Sequence, residues 1–133
     1  MEGRRKRVLV VDGDERVLIA LERLLEDESV DTTTTWSALE GLQLVRSGDF
    51  DVVLMGDNLP DLSCEQLLRE MQRNAIRAAV LVMETASPRV PSIASYFLSL
   101  GATATVRKWN LGETLDRVKS LPLLTGRHVA SAA

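Results

Sequence analysis

Three short runs in this chain are apolar at every position: Val8–Val11, Val52–Met55 and Ala79–Met83. A strand that is apolar throughout, rather than at alternate positions, is buried on both faces, and that requires helices above and below its sheet. Between these runs apolar residues recur at helical spacing. The alternation predicts an open, parallel, doubly wound α/β sheet of flavodoxin-like form, five strands each followed by a helix. A chain of 133 residues with 45% apolar composition is enough for one such core.

The first helix is expected from about Asp14, with Leu18, Leu21, Leu24 and Leu25 inward and an end near Glu28. The second strand, near Val30–Thr35, is a threonine run that buries little, which places it at the sheet edge. Ser37-Ala38-Leu39-Glu40 is a capping-box pattern opening a helix with Leu39, Leu42 and Val45 inward, and Ser63-Cys64-Glu65-Gln66 opens another with Leu67, Leu68 and Met71 inward. Pro91 suits the first turn of a fourth helix carrying Ile93, Tyr96, Phe97 and Leu100, ended by Gly101. Strand five is Thr103–Arg107, and Asn110 caps a last helix with Leu111, Leu115, Val118 and Leu121 inward, closed by Pro122. Residues 1–121 form the domain, and 122–133, with His128, read as a tail without period.

Several function classes are disfavoured. A net charge of −3 gives no basic field for nucleic acid, and the cluster Arg4-Arg5-Lys6-Arg7 reads as a solvated strand entry. A single cysteine, Cys64, allows no internal disulfide and fits a reducing cytoplasm. No apolar run approaches the roughly 20 residues of a membrane span, so no membrane role is expected.

In doubly wound sheets, ligands gather at the carboxyl ends of the strands beside the switch in strand order. The residues to weigh are therefore Asp12–Asp14, Gly56–Asn58, Glu84–Ser87 and Lys108. The glycines at 13 and 56 form neither a dinucleotide fingerprint nor a P-loop, and few aromatics could stack on a flavin.

At those places the chain resembles a response-regulator receiver domain of two-component signalling, of the CheY-like kind. The resemblance spans residues 6 to 121 and rests on Val8-Leu9-Val10-Val11-Asp12, Asn58-Leu59-Pro60-Asp61, Thr85-Ala86, Gly101-Ala102 and Lys108, in that order. It implies a phosphorelay module in which an aspartate ending strand three accepts a phosphoryl group from a histidine kinase. The family's acidic pair after strand one, its acceptor and a backbone carbonyl hold magnesium. A hydroxyl after strand four and a lysine after strand five ligate the phosphoryl oxygens.

Measured against that pattern, Asp12 matches the first acidic position, but Gly13 stands at the second and Gly56 at the acceptor. Thr85 matches the hydroxyl, with Glu84 as the alternative by register. Lys108 is kept, Trp109 replaces the family's proline, and Thr105 stands where an aromatic switch residue is common. One remaining carboxylate predicts weak magnesium binding at best, so no cofactor is expected. Without nucleophile and metal the chain reads as a degenerate receiver, not an enzyme, that acts by binding protein. The implied partner is a histidine kinase or a downstream regulator, with a homodimer as an alternative.

Other roles for these residues stay open. Asp57 is the alternative acceptor, although strand alternation would aim it away from the pocket as a solvated loop residue. Asp14 caps the first helix or replaces the lost carboxylate. Lys108 is expected to pair with Asp12, and Glu84 to face outward or to fill the pocket as an anion. Trp109 is either an interface anchor or packing for the last helix, and the peptide bond before it is expected to be trans.

Overall fold

The computed structural model describes residues 4–85 and 93–124. Ala86, Ser87, Pro91 and His128 lie outside them. The element order is β1 (Arg7–Val11), α1 (Glu15–Asp27), β2 (Asp31–Thr35), α2 (Ala38–Ser47), β3 (Val52–Gly56), α3 (Cys64–Arg73), β4 (Ala79–Glu84), α4 (Ala94–Ser99), β5 (Ala104–Arg107) and α5 (Leu111–Ser120). The five strands form one parallel sheet in the order β2-β1-β3-β4-β5. The threonine-rich β2 is an edge, as its sequence predicts.

Strand alternation divides the core in two. Leu9, Val11, Val53, Met55, Val80 and Val82 face a layer built from α2, α3 and Phe97 of α4. Val8, Val10, Val52, Leu54, Leu81 and Met83 face α1 and Val118 of α5. β3 is buried along its whole length, which is why its sequence shows no polar position.

The caps follow local chemistry. Ser63 and Gln66 make a complete capping box on α3. At α2 only half of that pattern forms. Ser37 Oγ accepts from the Glu40 N–H, but the Glu40 carboxylate takes the Thr35 hydroxyl instead of reaching back. Asp61, from the loop after β3, supplies the rest by accepting from the Ala38 and Leu39 N–H groups and from the Ser37 hydroxyl. Burial pushes the Asp61 carboxyl up, but those donors outweigh it and bring the group down to about 2.

Two inward faces differ from expectation. Leu39 is 53% exposed, because Ala38, Gly41, Leu42 and Val45 turn inward instead. A glycine at 41 permits this close approach, since a Cβ there would lie 2.9 Å from Val11 Cγ2. On α4 only Phe97 is buried, and Ile93 and Tyr96 are each 43% exposed. That helix is six residues long, too short for its periodic positions to share one buried face.

The basic N-terminal cluster is a set of tethers rather than a solvated entry. Arg4 makes two hydrogen bonds of 2.7 Å to the buried Asp51 carboxylate. Lys6 donates to the carbonyls of Val118, Lys119 and Leu121 at the end of α5. Arg5 reaches Asp31 and the Ser29 carbonyl, and Arg7 lies over the Phe50 ring. Asp51 also takes the Leu124 N–H at 2.8 Å, so the chain leaving α5 is pinned beneath the sheet.

Candidate functional site: an internally paired pocket at the strand ends

Asp12 follows β1 directly, at the switch point between β1 and β3, and its side chain is fully buried. Oδ1 accepts the Asp14 N–H at 2.8 Å, and Oδ2 lies 3.1 Å from Lys108 Nζ. The Lys108 N–H donates to the Glu84 carbonyl at 2.7 Å, extending the β4–β5 pairing by one residue and aiming the ammonium across the strand ends. Oδ2 accepts no directed hydrogen bond among the described residues, so its stabilisation is the lysine's charge.

The two glycines sit where this packing is tightest. A Cβ on Gly56 would lie 2.9 Å from Asp12 Cγ and 3.4 Å from Lys108 Nζ. The Asp12 carboxylate and its partner ammonium therefore occupy the space in which a side chain at 56 would start. A Cβ on Gly13 would meet the Asn58 carbonyl oxygen at 3.2 Å and Pro60 Cδ at 3.3 Å. The loop after β3 has closed over the backbone of the loop after β1.

Asp57 does not point away. β3 ends at Gly56, so strand alternation no longer governs the next residue, and the loop turns the carboxylate toward β4. Oδ2 accepts the Thr85 N–H at 2.7 Å, and Oδ1 accepts the Thr85 hydroxyl at 2.9 Å. The same Oδ1 is 3.8 Å from Lys108 Nζ, and the side chain is only 18% exposed. Thr85, not Glu84, brings the hydroxyl to the pocket, because the Glu84 carboxylate accepts from the Ile93 N–H at the start of α4.

The mouth of the pocket is a cleft of about 600 Å³ walled by Asn58, Pro60, Thr85, Arg16 and Trp109. Trp109 is 49% exposed and has φ +71°, a left-handed backbone that a bulky side chain rarely adopts. The described residues contain no cis peptide, so the bond before Trp109 is trans, as expected, and the loop is re-routed through that conformation. Arg16 was not singled out by its sequence context. Its guanidinium lies 5.9 Å from the centre of the Trp109 ring and also pairs with Asp14. Asp14 caps α1 by accepting from the Arg16 N–H, and the Arg16 side chain brings its carboxyl down to about 2. The only sequence signal for Arg16 was its place two residues after a capping aspartate. Thr105 is half-buried on β5 and does not line the cleft.

The family model for the response regulator receiver domain matches residues 8–119. The chain belongs to that family. Among curated relatives, the cell cycle response regulators CtrA of Brucella ovis and Brucella abortus are 31% identical over 77 residues, 58% of this chain and 33% of theirs. The matched segment spans about a third of the length of those relatives. The Francisella response regulator 1452 receiver domain superposes with a TM-score of 0.81 at 23% identity, covering 88% of this chain and 96% of that one. A CheY-like receiver domain from Methanospirillum hungatei JF-1 gives a TM-score of 0.78 at 25% identity over 87% and 92% of the two chains. Fold, family and sheet order agree: this is a receiver of two-component signalling, a regulatory module.

Proposed function

We propose that this receiver works without phosphoryl transfer, as a protein-binding module whose buried Asp12 is paired with its own lysine. One observation carries the reading: the space for a side chain at position 56 is filled by the Asp12 carboxylate and the Lys108 ammonium. Position 56 carries no acceptor, and a side chain added there has to displace the Asp12 carboxylate. The donor set is also wrong for magnesium, which favours several hard oxygens around one point. Asp12 faces Lys108, Asp57 is taken up by Thr85, and positions 13 and 56 supply no carboxylate. Among the described residues no three acidic, histidine or cysteine side chains gather where a cation could sit.

A protein partner in the cytoplasm, either a histidine kinase or a downstream regulator, is the expected ligand. Since Lys108 already has two carboxylates near it, the module keeps one pocket geometry and signals by being bound.

A second reading has a specific observation behind it. The Asp57 carboxylate lies 3.8 Å from Lys108 and hydrogen-bonds Thr85, both of which line the cleft. Against it, both Asp57 oxygens already accept hydrogen bonds from Thr85. Amide NMR spectra recorded with magnesium and beryllofluoride separate the two readings. The proposal expects no shifts at Asp12, Asp57, Thr85 or Lys108. Saturable shifts at those amides would favour Asp57 as a displaced acceptor.

A further inference from the structure

We infer that the groove between α1 and the turn after β2 is a docking site for a basic segment of a partner protein, anchored by an apolar side chain. The inference rests on the reading that this receiver acts by binding protein, and it names the partner's chemistry.

The groove has a volume of about 490 Å³ and is walled by Glu15, Leu18, Ile19, Glu22, Thr34 and Trp36. Of its apolar members, Leu18 belongs to the core, but Ile19 and Trp36 do not. α1 already buries Val17, Leu18, Leu21 and Leu25 against the sheet, whereas Ile19 is 42% exposed and Trp36 63% exposed. A tryptophan and an isoleucine flanking one concavity offer the kind of aromatic anchor that dominates interface energies. Neither side chain contributes to the two core clusters.

Charge chooses the occupant. Glu15, Ile19 and Glu22 follow one another at helical spacing and all wall the groove, so two carboxylates flank the isoleucine there. No lysine or arginine lines the groove. Two arginines flank this face: Arg16 is held by Asp14 and lies over Trp109, lining the neighbouring cleft, and Arg23, next to Glu22, is exposed but lies outside the groove wall. A second copy of this chain fits poorly, because a two-fold contact would set these carboxylates against their own copies. A segment with lysine or arginine around one or two large apolar residues complements both features.

Synthetic helical peptides provide the test. One carries leucine and lysine at helical spacing, and its twin has every lysine replaced by glutamate. Fluorescence anisotropy with the intact chain should show saturable binding of the lysine peptide, weaker at higher salt, and none of the glutamate peptide. Trp36→Ala and Glu22→Lys should each weaken binding by about tenfold or more, while Glu70→Lys on α3 should change it little. Circular dichroism confirms that the variants fold. Equal losses in Glu70→Lys, or unchanged affinity in Trp36→Ala, would overturn the assignment. A dimer in sedimentation that Trp36→Ala abolishes would give the groove to a second copy and overturn it too. A phosphoryl adduct on Asp57 with unchanged peptide affinity would remove the phosphorylation-independent reading and leave the groove standing. Loss of the groove alone would leave that reading intact.

Discussion

Asp57 holds Thr85 with both carboxylate oxygens, taking the backbone N–H at 2.7 Å on one and the side-chain hydroxyl at 2.9 Å on the other. This two-point contact joins the loop after β3 to the end of β4, next to the Asp12–Lys108 pair. Hydrogen bonds to a charged acceptor are stronger than neutral ones, and the side chain is mostly shielded. Asp57→Ala should therefore speed hydrogen exchange at the Thr85 amide by about tenfold or more, the equivalent of one charge-assisted bond. Leu54, inside β3, should exchange as before. Unchanged exchange at Thr85 would show that the contact contributes nothing in solution.

Restoring an aspartate at position 56 should harm the protein before it helps. Gly56→Asp drives a side chain into the Asp12 carboxylate and its lysine, and overpacking of this kind costs about 1–3 kcal/mol. Chemical denaturation should show that loss, and intact mass after acetyl phosphate should show no adduct, because Gly13 still lacks a metal ligand. Gly13→Asp together with Gly56→Asp is the smallest change that supplies the missing carboxylates. It also requires the Asn58–Pro60 loop to give way by a few tenths of an ångström. Normal phosphorylation of the single variant would contradict this account of the pocket.

Acid should loosen the underside of the sheet, where Asp51 holds Arg4 and the chain leaving α5. Burial raises the Asp51 carboxyl, but Arg4 and the N–H groups of Arg7 and Leu124 outweigh it and hold the group far below its usual range. A carboxyl depressed in the folded state adds stability above its unfolded value of about 4 and loses it as pH falls toward the folded value. Asp61 behaves alike between roughly 4 and its folded value of about 2. Asp51→Asn should lower stability at neutral pH by about 1–3 kcal/mol, since Arg4 and the N–H groups of Arg7 and Leu124 lose a charged acceptor. Denaturation curves of variant and parent should converge as pH falls below about 4. Parallel curves down to low pH would exclude this role.

Cys64 begins α3 with no exposed surface, and burial pushes its thiol up to about 12. The thiolate is the reactive form, so a thiol reagent at neutral pH should label the native chain very slowly and the urea-unfolded chain at once. Fast labelling of the native chain would mean that the start of α3 opens readily.

Much of this was legible in the sequence because it depends on period and capping. The uninterrupted apolar runs at 8–11 and 52–55 placed the central strands, and the threonine run placed the edge. Ser63 and Gln66 announced α3 with a local pattern that tertiary packing had no reason to override. The inner faces of α2 and α4 were less clear, since Leu39 and Tyr96 satisfy helical spacing yet face outward. Position 57 shows a limit of alternation, which stops applying where a strand ends. The tethers of Arg4 and Lys6 join residues more than 40 and 110 positions away, respectively, and no local pattern marks them. The glycines at 13 and 56 showed that carboxylates were missing. Only the structure showed that Asp12, Lys108 and the Asn58 carbonyl had closed into the space.

Intact-mass spectrometry after incubation with acetyl phosphate and magnesium tests the central claim most directly. An internally paired pocket without an acceptor at position 56 predicts a single species at the unmodified mass under conditions that phosphorylate an active receiver. A hydroxylamine-labile phosphoryl adduct, located at Asp57 by fragmentation, would contradict it.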